Sequence, residues 1–178
     1  MRHLRRRTGL SLIELLVTIS LTTLLSSLVI AYSNIGRRQV TLSVEASKIA
    51  QTVLRAKALA ISTYNQPIVP CGYGVEVDYA LNTYALYSYD APSCSSIASV
   101  NPVQKMQIER SGLSPGLVFE LRPDSLRDVI FLPPDPRTLL SVDPAGSFTN
   151  SPAVVYMKTV DGLASAAVTV NVNGQVTF

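Results

Sequence analysis

The 178-residue sequence predicts an α+β protein in which a long N-terminal helix packs against a mainly antiparallel β domain. Three observations predict this class. No proline precedes Pro67, and the apolar residues before it recur with a helical period. From Ile68 onward the period changes to the alternation of half-buried strands, and the pair Asn173-Gly174 gives a hairpin signal near the end of the sequence.

The N-terminal part of the chain predicts one membrane-spanning helix. The run from Leu15 to Gly36 contains 36 − 15 + 1 = 22 residues without a formal charge. At a rise of about 1.5 Å per residue this run spans about 30 Å, the hydrocarbon thickness of a bilayer. By the positive-inside rule, the basic residues before the run place the N-terminus in the cytoplasm and the rest of the chain outside the inner membrane. These basic residues are Arg2, Arg5, Arg6 and Arg7.

Glu14 lies near the start of this apolar run. A carboxylate inside a bilayer costs on the order of several kcal/mol unless it is paired or neutralised, so an acid here indicates a functional role. A structural alternative exists, because Ser11 and Glu14 also have the spacing of a capping box. Capping alone explains neither the arginine-rich leader nor the junction between Gly9 and Leu10, so we favour the functional interpretation.

The junction Gly9-Leu10-Ser11-Leu12-Ile13-Glu14-Leu15-Leu16, after a short basic leader, resembles the type IV prepilin family, which includes the pseudopilins of type II secretion systems. The resemblance implies that a membrane-embedded aspartic peptidase cleaves after Gly9 and that Leu10 is then N-methylated. It also implies that subunits polymerise into a pilus or pseudopilus, with an assembly platform and a cytoplasmic ATPase as partners. Leu10 departs from the family pattern, since phenylalanine is more frequent at that position.

Glu14 has a physical role in such an assembly. The newly cut amine at Leu10 is a positive charge in an apolar setting, and Glu14 of a neighbouring subunit can neutralise it. In surroundings of low dielectric constant this pair is strong and depends on register, so it can set the stagger between subunits.

Two other targeting interpretations were weighed. A secretory signal peptide has a shorter apolar region followed by a small-residue cleavage site, whereas this run is longer, carries Glu14 and is followed by a poor cleavage site at Val29 to Ser33. An uncleaved signal anchor remains open and gives the same topology.

The helical pattern continues after the apolar run as an amphipathic helix that ends near Pro67. We therefore expect four segments: a leader at 1–9, a transmembrane or filament-core helix at 10–33, an amphipathic half of the same helix at 34–64 and a β-rich domain at 65–178. The predicted apolar stripe has spacings of 4, 3, 4, 3 and 4 and consists of Leu42, Ala46, Ile49, Val53, Ala56 and Ala60. Charged residues assigned to the other faces are Arg38, Glu45, Lys48, Arg55 and Lys57.

The β domain begins with a predicted hairpin, Gly74–Tyr79 and Thr83–Tyr89, joined by a connection that contains Asn82. The segment Pro133-Pro134-Asp135-Pro136 cannot form a central strand and is assigned to a loop or edge. Asn173-Gly174 predicts a type I′ hairpin turn before a last strand at Gln175–Phe178. The remaining predicted strands are Gln104–Arg110, Leu117–Arg122, Val129–Leu132, Thr138–Val142, Val154–Lys158 and Ala166–Val172.

The two cysteines, Cys71 and Cys94, both fall in the predicted extracytoplasmic part. In that compartment a pair of cysteines predicts a disulfide rather than a metal or redox site, with two free buried thiols as the alternative. A calcium site formed by aspartates near the proline-rich segment is a second hypothesis, but their spacing does not match a known loop and a solvated face is favoured. These aspartates are Asp124, Asp128, Asp135 and Asp143.

The composition argues against an enzyme. The one histidine, His3, lies in the leader, which removes histidine-activated nucleophiles and histidine metal ligands from the mature chain. The sequence contains neither a phosphate-binding G-x-x-x-x-G-K-[ST] loop nor a G-x-S-x-G elbow. We therefore expect no catalytic, cofactor-binding or metal-binding residues.

A weaker resemblance covers most of the globular region. Leu54 to Ser62, Pro70-Cys71 and Asn173 to Val176 resemble the minor pseudopilins of the H type and the related fimbrial minor pilins. Some relatives take part in DNA uptake through a basic arginine motif near the C-terminus. The segment Gly174 to Phe178 contains no arginine, and without the leader arginines the chain has 15 − 4 = 11 basic against 12 acidic residues. We therefore predict no nucleic-acid surface.

The sequence thus predicts a structural subunit of a type IV pilus or type II secretion pseudopilus. The alternative is a binding module for adhesion or DNA uptake that is displayed on the same scaffold. An exposed aromatic or basic patch would favour that alternative, although most of the tyrosines concerned are expected in the core. These tyrosines are Tyr73, Tyr79, Tyr84, Tyr87 and Tyr89.

Overall fold

The computed structural model describes residues 11–62, 70–94, 97–133 and 137–178, with only the backbone of residues 30–35. The chain divides into two compact units, Met1–Arg38 and Gln39–Phe178. Helix α1, Leu12–Ser62, contains the boundary between them. The α+β class predicted from the sequence is confirmed, because a long N-terminal helix is followed by antiparallel strands.

The strands of the second unit form two sheets in which all strand pairs are antiparallel. One sheet has the order β3-β2-β1-β5-β6-β7, and the other has the order β10-β9-β8-β4. The strands are β1 (Gly72–Asp78), β2 (Thr83–Tyr89), β3 (Lys105–Gly112), β4 (Leu117–Glu120), β5 (Asp128–Leu132), β6 (Arg137–Ser141), β7 (Phe148–Thr149), β8 (Ala153–Thr159), β9 (Ser165–Val170) and β10 (Val176–Thr177). A 3₁₀ turn at Pro102–Gln104 precedes β3.

The part of α1 in the second unit packs its predicted stripe into the main core. All six stripe residues are buried, together with Ala50. The same core contains Val75 and Phe131 from the larger sheet and Val155 and Val168 from the smaller one. Burying such side chains stabilises a fold by about 1.5–3 kcal/mol each. The apolar stripe read from the sequence is therefore the surface that joins the helix to both sheets.

Glu45 was assigned to a polar face of the helix, and that prediction is wrong. Its side chain is only 2% exposed and accepts hydrogen bonds from Ser114 Oγ at 2.6 Å and Lys48 Nζ at 2.8 Å. Position 45 lies three residues after Leu42, at the margin of the buried stripe. The connection between β3 and β4 supplies the Ser114 hydroxyl, so Oε1 is buried with two partners, whereas Oε2 is buried without a hydrogen-bond partner among the described residues.

The predicted first hairpin is confirmed as β1 and β2. Asn82 closes the turn with a φ of 52°, which asparagine tolerates better than most residues. Its backbone carbonyl accepts a hydrogen bond from Leu113 N–H at 3.1 Å, and its side-chain oxygen accepts one from Phe119 N–H at 2.8 Å. This single turn residue therefore holds the ends of β3 and β4 next to β1 and β2.

The last hairpin is also present, but its turn differs from the prediction. Gly174 has a positive φ of 68°, whereas the φ of Asn173 is not positive. The Gly174 N–H donates to Asn171 O at 2.8 Å, and the Asn171 N–H donates to Gln175 O at 2.9 Å. A four-residue turn, 171–174, whose last residue is the left-handed Gly174, therefore replaces the predicted two-residue type I′ turn.

Candidate functional site

The first candidate site is the apolar segment of α1. Leu12–Val29 is long and apolar enough to cross a membrane, with a mean hydropathy of 2.0 over 18 residues. Every side chain in this window is exposed, including Leu12 at 83% and Val29 at 68%. This length and composition also occur in signal sequences, so the features of individual residues must decide its role.

The polar side chains of this segment are largely satisfied by the helix itself. Five hydroxyl groups donate hydrogen bonds of 2.8–3.0 Å to carbonyl oxygens three or four residues earlier, which lowers the cost of placing them in an apolar environment. The residues are Thr18, Ser20, Thr22, Thr23 and Ser27. The segment is therefore suited to lipid or to other helices despite its serines and threonines.

Glu14 differs from these hydroxyl residues. Its backbone N–H donates to Ser11 Oγ at 3.3 Å, which is one half of the capping box considered above. Its carboxylate is exposed and makes no hydrogen bond or ion pair to any residue that the structure describes. Ser11 thus caps the helix start without engaging the Glu14 carboxylate. The predicted processing residues Gly9 and Leu10 lie outside the described residues.

The predicted disulfide between Cys71 and Cys94 is confirmed, with a Cα–Cα distance of 5.1 Å. It fastens the segment that follows β2 to the start of β1. This segment lies near the face of the larger sheet that carries the second apolar cluster. Tyr89 belongs to that cluster, and its hydroxyl donates to Gln104 Oε1 at 2.6 Å and accepts from Asn101 N–H at 3.1 Å. The disulfide and Tyr89 therefore hold the two ends of residues 90–104.

A buried polar cluster extends across four neighbouring strands of the larger sheet. Lys105 Nζ lies 2.6 Å from Asp128 Oδ1 and 3.1 Å from Glu76 Oε1. Tyr87 donates its hydroxyl to Asp128 Oδ1 at 3.0 Å, and burial raises its pKa well above the ordinary value. Burial also raises the pKa of Asp128, although Lys105 opposes this shift. Asp128 was assigned to a solvated face, which is wrong, because it is buried against a lysine from β3.

The aspartates do not combine into a metal site in the described part of the chain, where no three candidate metal ligands come together. Asp124 Oδ2 accepts a hydrogen bond from the Tyr156 hydroxyl at 2.8 Å, and Asp143 accepts from Ala145 N–H and Ser147 Oγ. Asp128 is neutralised by Lys105, and Asp135 lies outside the described residues. Each of the three described candidates, Asp124, Asp128 and Asp143, therefore has its own local partner.

The five tyrosines considered for an aromatic binding patch contribute mainly to the core. Tyr84, Tyr87 and Tyr89 are buried, and Tyr73 and Tyr79 are partly buried against the main core. The prediction that most of them are core residues is confirmed. Sequence analysis gave no role to Arg127, whose side chain lines several concavities of the domain, because nothing in the local sequence distinguishes it from a solvated arginine.

Comparisons with known proteins gave one similar structure. No family model matches the sequence, and no curated protein matches it significantly. The structure of the minor pseudopilin EpsH from the type 2 secretion system of Vibrio cholerae is 17% identical, with 76% of this chain and 94% of that chain covered and a TM-score of 0.44. Because the identity is low and the TM-score is below 0.5, the proposals below depend on this chain's own residues.

Proposed function

We propose that this protein is a prepilin-like structural subunit that polymerises through the apolar half of α1. One observation carries the proposal: Leu12–Val29 is wholly exposed, and its only formal charge is Glu14 at its start, which has no ion-pair partner among the described residues. Eleven large apolar side chains of this segment face outward. Such a surface needs lipid before assembly and other helices after it.

Glu14 favours an assembling subunit over a simple anchor. A lipid anchor gains nothing from an acid near its start, since the carboxylate opposes insertion. In a helical filament, the same carboxylate can pair with the N-terminal amine that cleavage after Gly9 creates on Leu10 of a neighbour. The pair is favourable because both groups are charged and shielded from water, and it forms in one register only.

The proposed life cycle combines this chemistry with what the resemblance to prepilins implies. The precursor inserts into the bacterial inner membrane with its arginine-rich leader in the cytoplasm and its β domain outside. A prepilin peptidase removes residues 1–9 and methylates Leu10. An assembly platform and its ATPase then move the subunit from the bilayer into a pilus or pseudopilus with other pilin-like subunits.

The proposal is tested by Glu14→Ala in the native host. Processing should be intact, because the junction before Leu10 is unchanged, whereas the amount of subunit in sheared filaments or purified pseudopili should fall about ten-fold or more. Ser11→Ala is the matched control, because it removes the cap of the helix and keeps the carboxylate. Normal incorporation of the Glu14 variant would contradict the pairing role and leave capping as the explanation of this motif.

A further inference from the structure

Arg127 lies on the connection between β4 and β5, and its backbone is fixed on both sides. Its N–H donates to Ser141 O at 2.8 Å, and its carbonyl accepts from Val77 N–H at 2.8 Å. These bonds continue the pairing of β5 with β6 and β1 by one residue. The position of the Arg127 side chain is therefore set by the sheet.

The Arg127 guanidinium has no anionic partner among the residues that the structure describes. Its Nε is shielded from solvent without a hydrogen-bond acceptor, and the group lies 5.8 Å from the centre of the Tyr79 ring. A shielded N–H without an acceptor costs about 1–3 kcal/mol, and arginine cannot lose its charge to avoid that cost. Arg127 Nε thus has no acceptor within the described part of the chain.

The acids that line concavities together with Arg127 already have hydrogen-bond or ion-pair partners, and for Asp128 these are Lys105 and Tyr87. Asp143 accepts hydrogen bonds from the Ala145 N–H and Ser147 hydroxyl. Asp78 accepts from the N–H groups of residues 80 and 81, and Glu76 pairs with Lys105. None of these acids forms an ion pair with Arg127, so its charge is not balanced by a carboxylate within the described part of the chain.

Beside Arg127 is a groove of about 530 Å³ between the β4–β5 connection and the segment after β6. Its walls are mostly apolar, and Leu121 is 55% exposed at its rim. A second arginine, Arg122, also lines the groove, but it pairs with Glu120 at 2.8 Å and lies over the Tyr156 ring. The other lining residues are Pro123, Val142, Asp143 and Pro144.

We propose that this groove binds a segment of another polypeptide in which a carboxylate adjoins an apolar side chain. The carboxylate would accept the terminal Nη N–H groups of Arg127, which unlike Nε are not shielded from solvent, and the apolar side chain would pack against Leu121 and the prolines. One unpaired cation between apolar walls fits a single carboxylate better than the many phosphates of a nucleic acid, which need several cations. This site belongs to the β domain and does not depend on polymerisation through α1.

The test is NMR titration of the full-length, isotope-labelled protein in detergent micelles with N-acetyl-L-leucine and its neutral analogue N-acetyl-L-leucinamide. The acid should shift the Arg127 Nε–H signal and the amide of Leu121 saturably, with a Kd on the order of millimolar for so small a ligand. The amide should bind at least about ten-fold more weakly, because it lacks the charge that Arg127 requires. Arg127→Gln should abolish the response, and Arg122→Gln, which alters an already paired guanidinium, should retain it.

Several outcomes would overturn the proposal. Equal shifts with the acid and the amide would show that Arg127 is not the determinant, and this comparison needs no variant to fold. Loss of the response in Arg122→Gln but not in Arg127→Gln would show that Arg122, and not Arg127, binds the carboxylate. Saturable binding of inorganic phosphate at the same or lower concentration would assign a general anion site and exclude the polypeptide. Absence of any saturable shift would show that the groove does not bind a carboxylate next to an apolar side chain.

Discussion

Gly74 shows how one absent side chain positions the buried polar cluster. A Cβ atom at this residue would lie 2.5 Å from Val129 O and 2.6 Å from the Cζ and hydroxyl oxygen of Tyr87. The Tyr87 ring therefore crosses β1 where only glycine leaves room, and its hydroxyl reaches Asp128 on the next strand. The cluster depends on this crossing as much as on its charges.

Gly74→Ala should consequently lower the free energy of unfolding by about 2–3 kcal/mol, because both the backbone of β5 and the ring of Tyr87 would have to move. Gly112→Ala is the matched control in the same sheet, since its Cβ would meet its nearest neighbours, Asn82 O and Thr83 Cγ2, only at 3.9 Å. Its effect should stay within about 0.5 kcal/mol. Urea unfolding of the full-length protein in detergent measures both, and equal effects would refute the proposed crowding.

The buried hydroxyl of Tyr79 should make the stability of the protein fall at alkaline pH. Burial raises its pKa to about 12, above the ordinary value of 10.0, while its hydroxyl donates to Leu126 O at 2.8 Å. Because the folded-state pKa is the higher one, folding favours the neutral phenol, and its contribution is present below pH 10 and lost as pH rises toward 12.

The wild-type protein should therefore lose about 1 kcal/mol more than Tyr79→Phe between pH 8 and pH 11. At pH 8 the variant itself should be less stable by about 1 kcal/mol, since it lacks the hydrogen bond to Leu126. The comparison cancels the contributions of Tyr84 and Tyr87, whose pKa values are also raised. A drop of equal size in both proteins would show that Tyr79 is not the responsible group.

Among the elements, helices and long strands could be predicted well because many residues contribute to their apolar periodicity. The stripe from Leu42 to Ala60 needs only the helical repeat, and all six of its members are buried. Glu45 was misplaced because the Ser114 hydroxyl that makes its burial tolerable comes from a loop 69 residues away. Strand β7 was missed because its two residues, Phe148 and Thr149, are too few to show alternation.

The features of the candidate sites also fall into two groups, those set by the local sequence and those set by contacts between distant residues. The apolar segment and Glu14 are local features of the sequence, so their unusual combination could be recognised directly. The pairing of Asp128 with Lys105 joins strands that are separated by two others in the sheet, and the isolation of Arg127 depends on acids being engaged elsewhere. Neither can be inferred without knowing which strands are neighbours.

The disulfide should stabilise mainly the segment after β2 that it fastens to the start of β1. Cys71 and Cys94 are 23 residues apart, and closing such a loop stabilises a fold by about 3 kcal/mol on the chain-entropy model. The double variant Cys71→Ala/Cys94→Ala should lose about that amount. Hydrogen exchange should accelerate mainly in residues 97–103, next to the released end, and much less in β8 and β9 of the smaller sheet.

Reduction of the wild-type protein provides the matched control for this double variant, because it opens the same loop without changing a residue. Uniformly faster exchange across both sheets in either sample would contradict a local role. In that case the disulfide would support the whole domain, and the residues after β2 would not form a separately fastened segment.

At the scale of the whole molecule, two different surfaces carry the proposals. The segment Leu12–Val29 is exposed, long and apolar enough to cross a membrane, and Arg127 Nε has no hydrogen-bond acceptor among the described residues. The buried core of the β domain explains how this domain is stabilised without contributions from the exposed segment. This division suits a subunit that exchanges a membrane for a filament while its globular part remains folded.

The most direct test of the proposed assembly is mass spectrometry of the tryptic N-terminal peptide from the native host, in sheared filaments and in washed inner membranes. Trypsin cleaves after Arg7, so an unprocessed chain yields a peptide that begins at Thr8, and a processed chain yields one that begins at Leu10. We predict a methylated Leu10 terminus, abundant in filaments for a pilus subunit or confined to membranes for a pseudopilus subunit, and its loss or marked decrease in Gly9→Ala. An intact Thr8-Gly9-Leu10 peptide in both wild-type fractions would contradict the prepilin proposal and identify an ordinary anchored β domain.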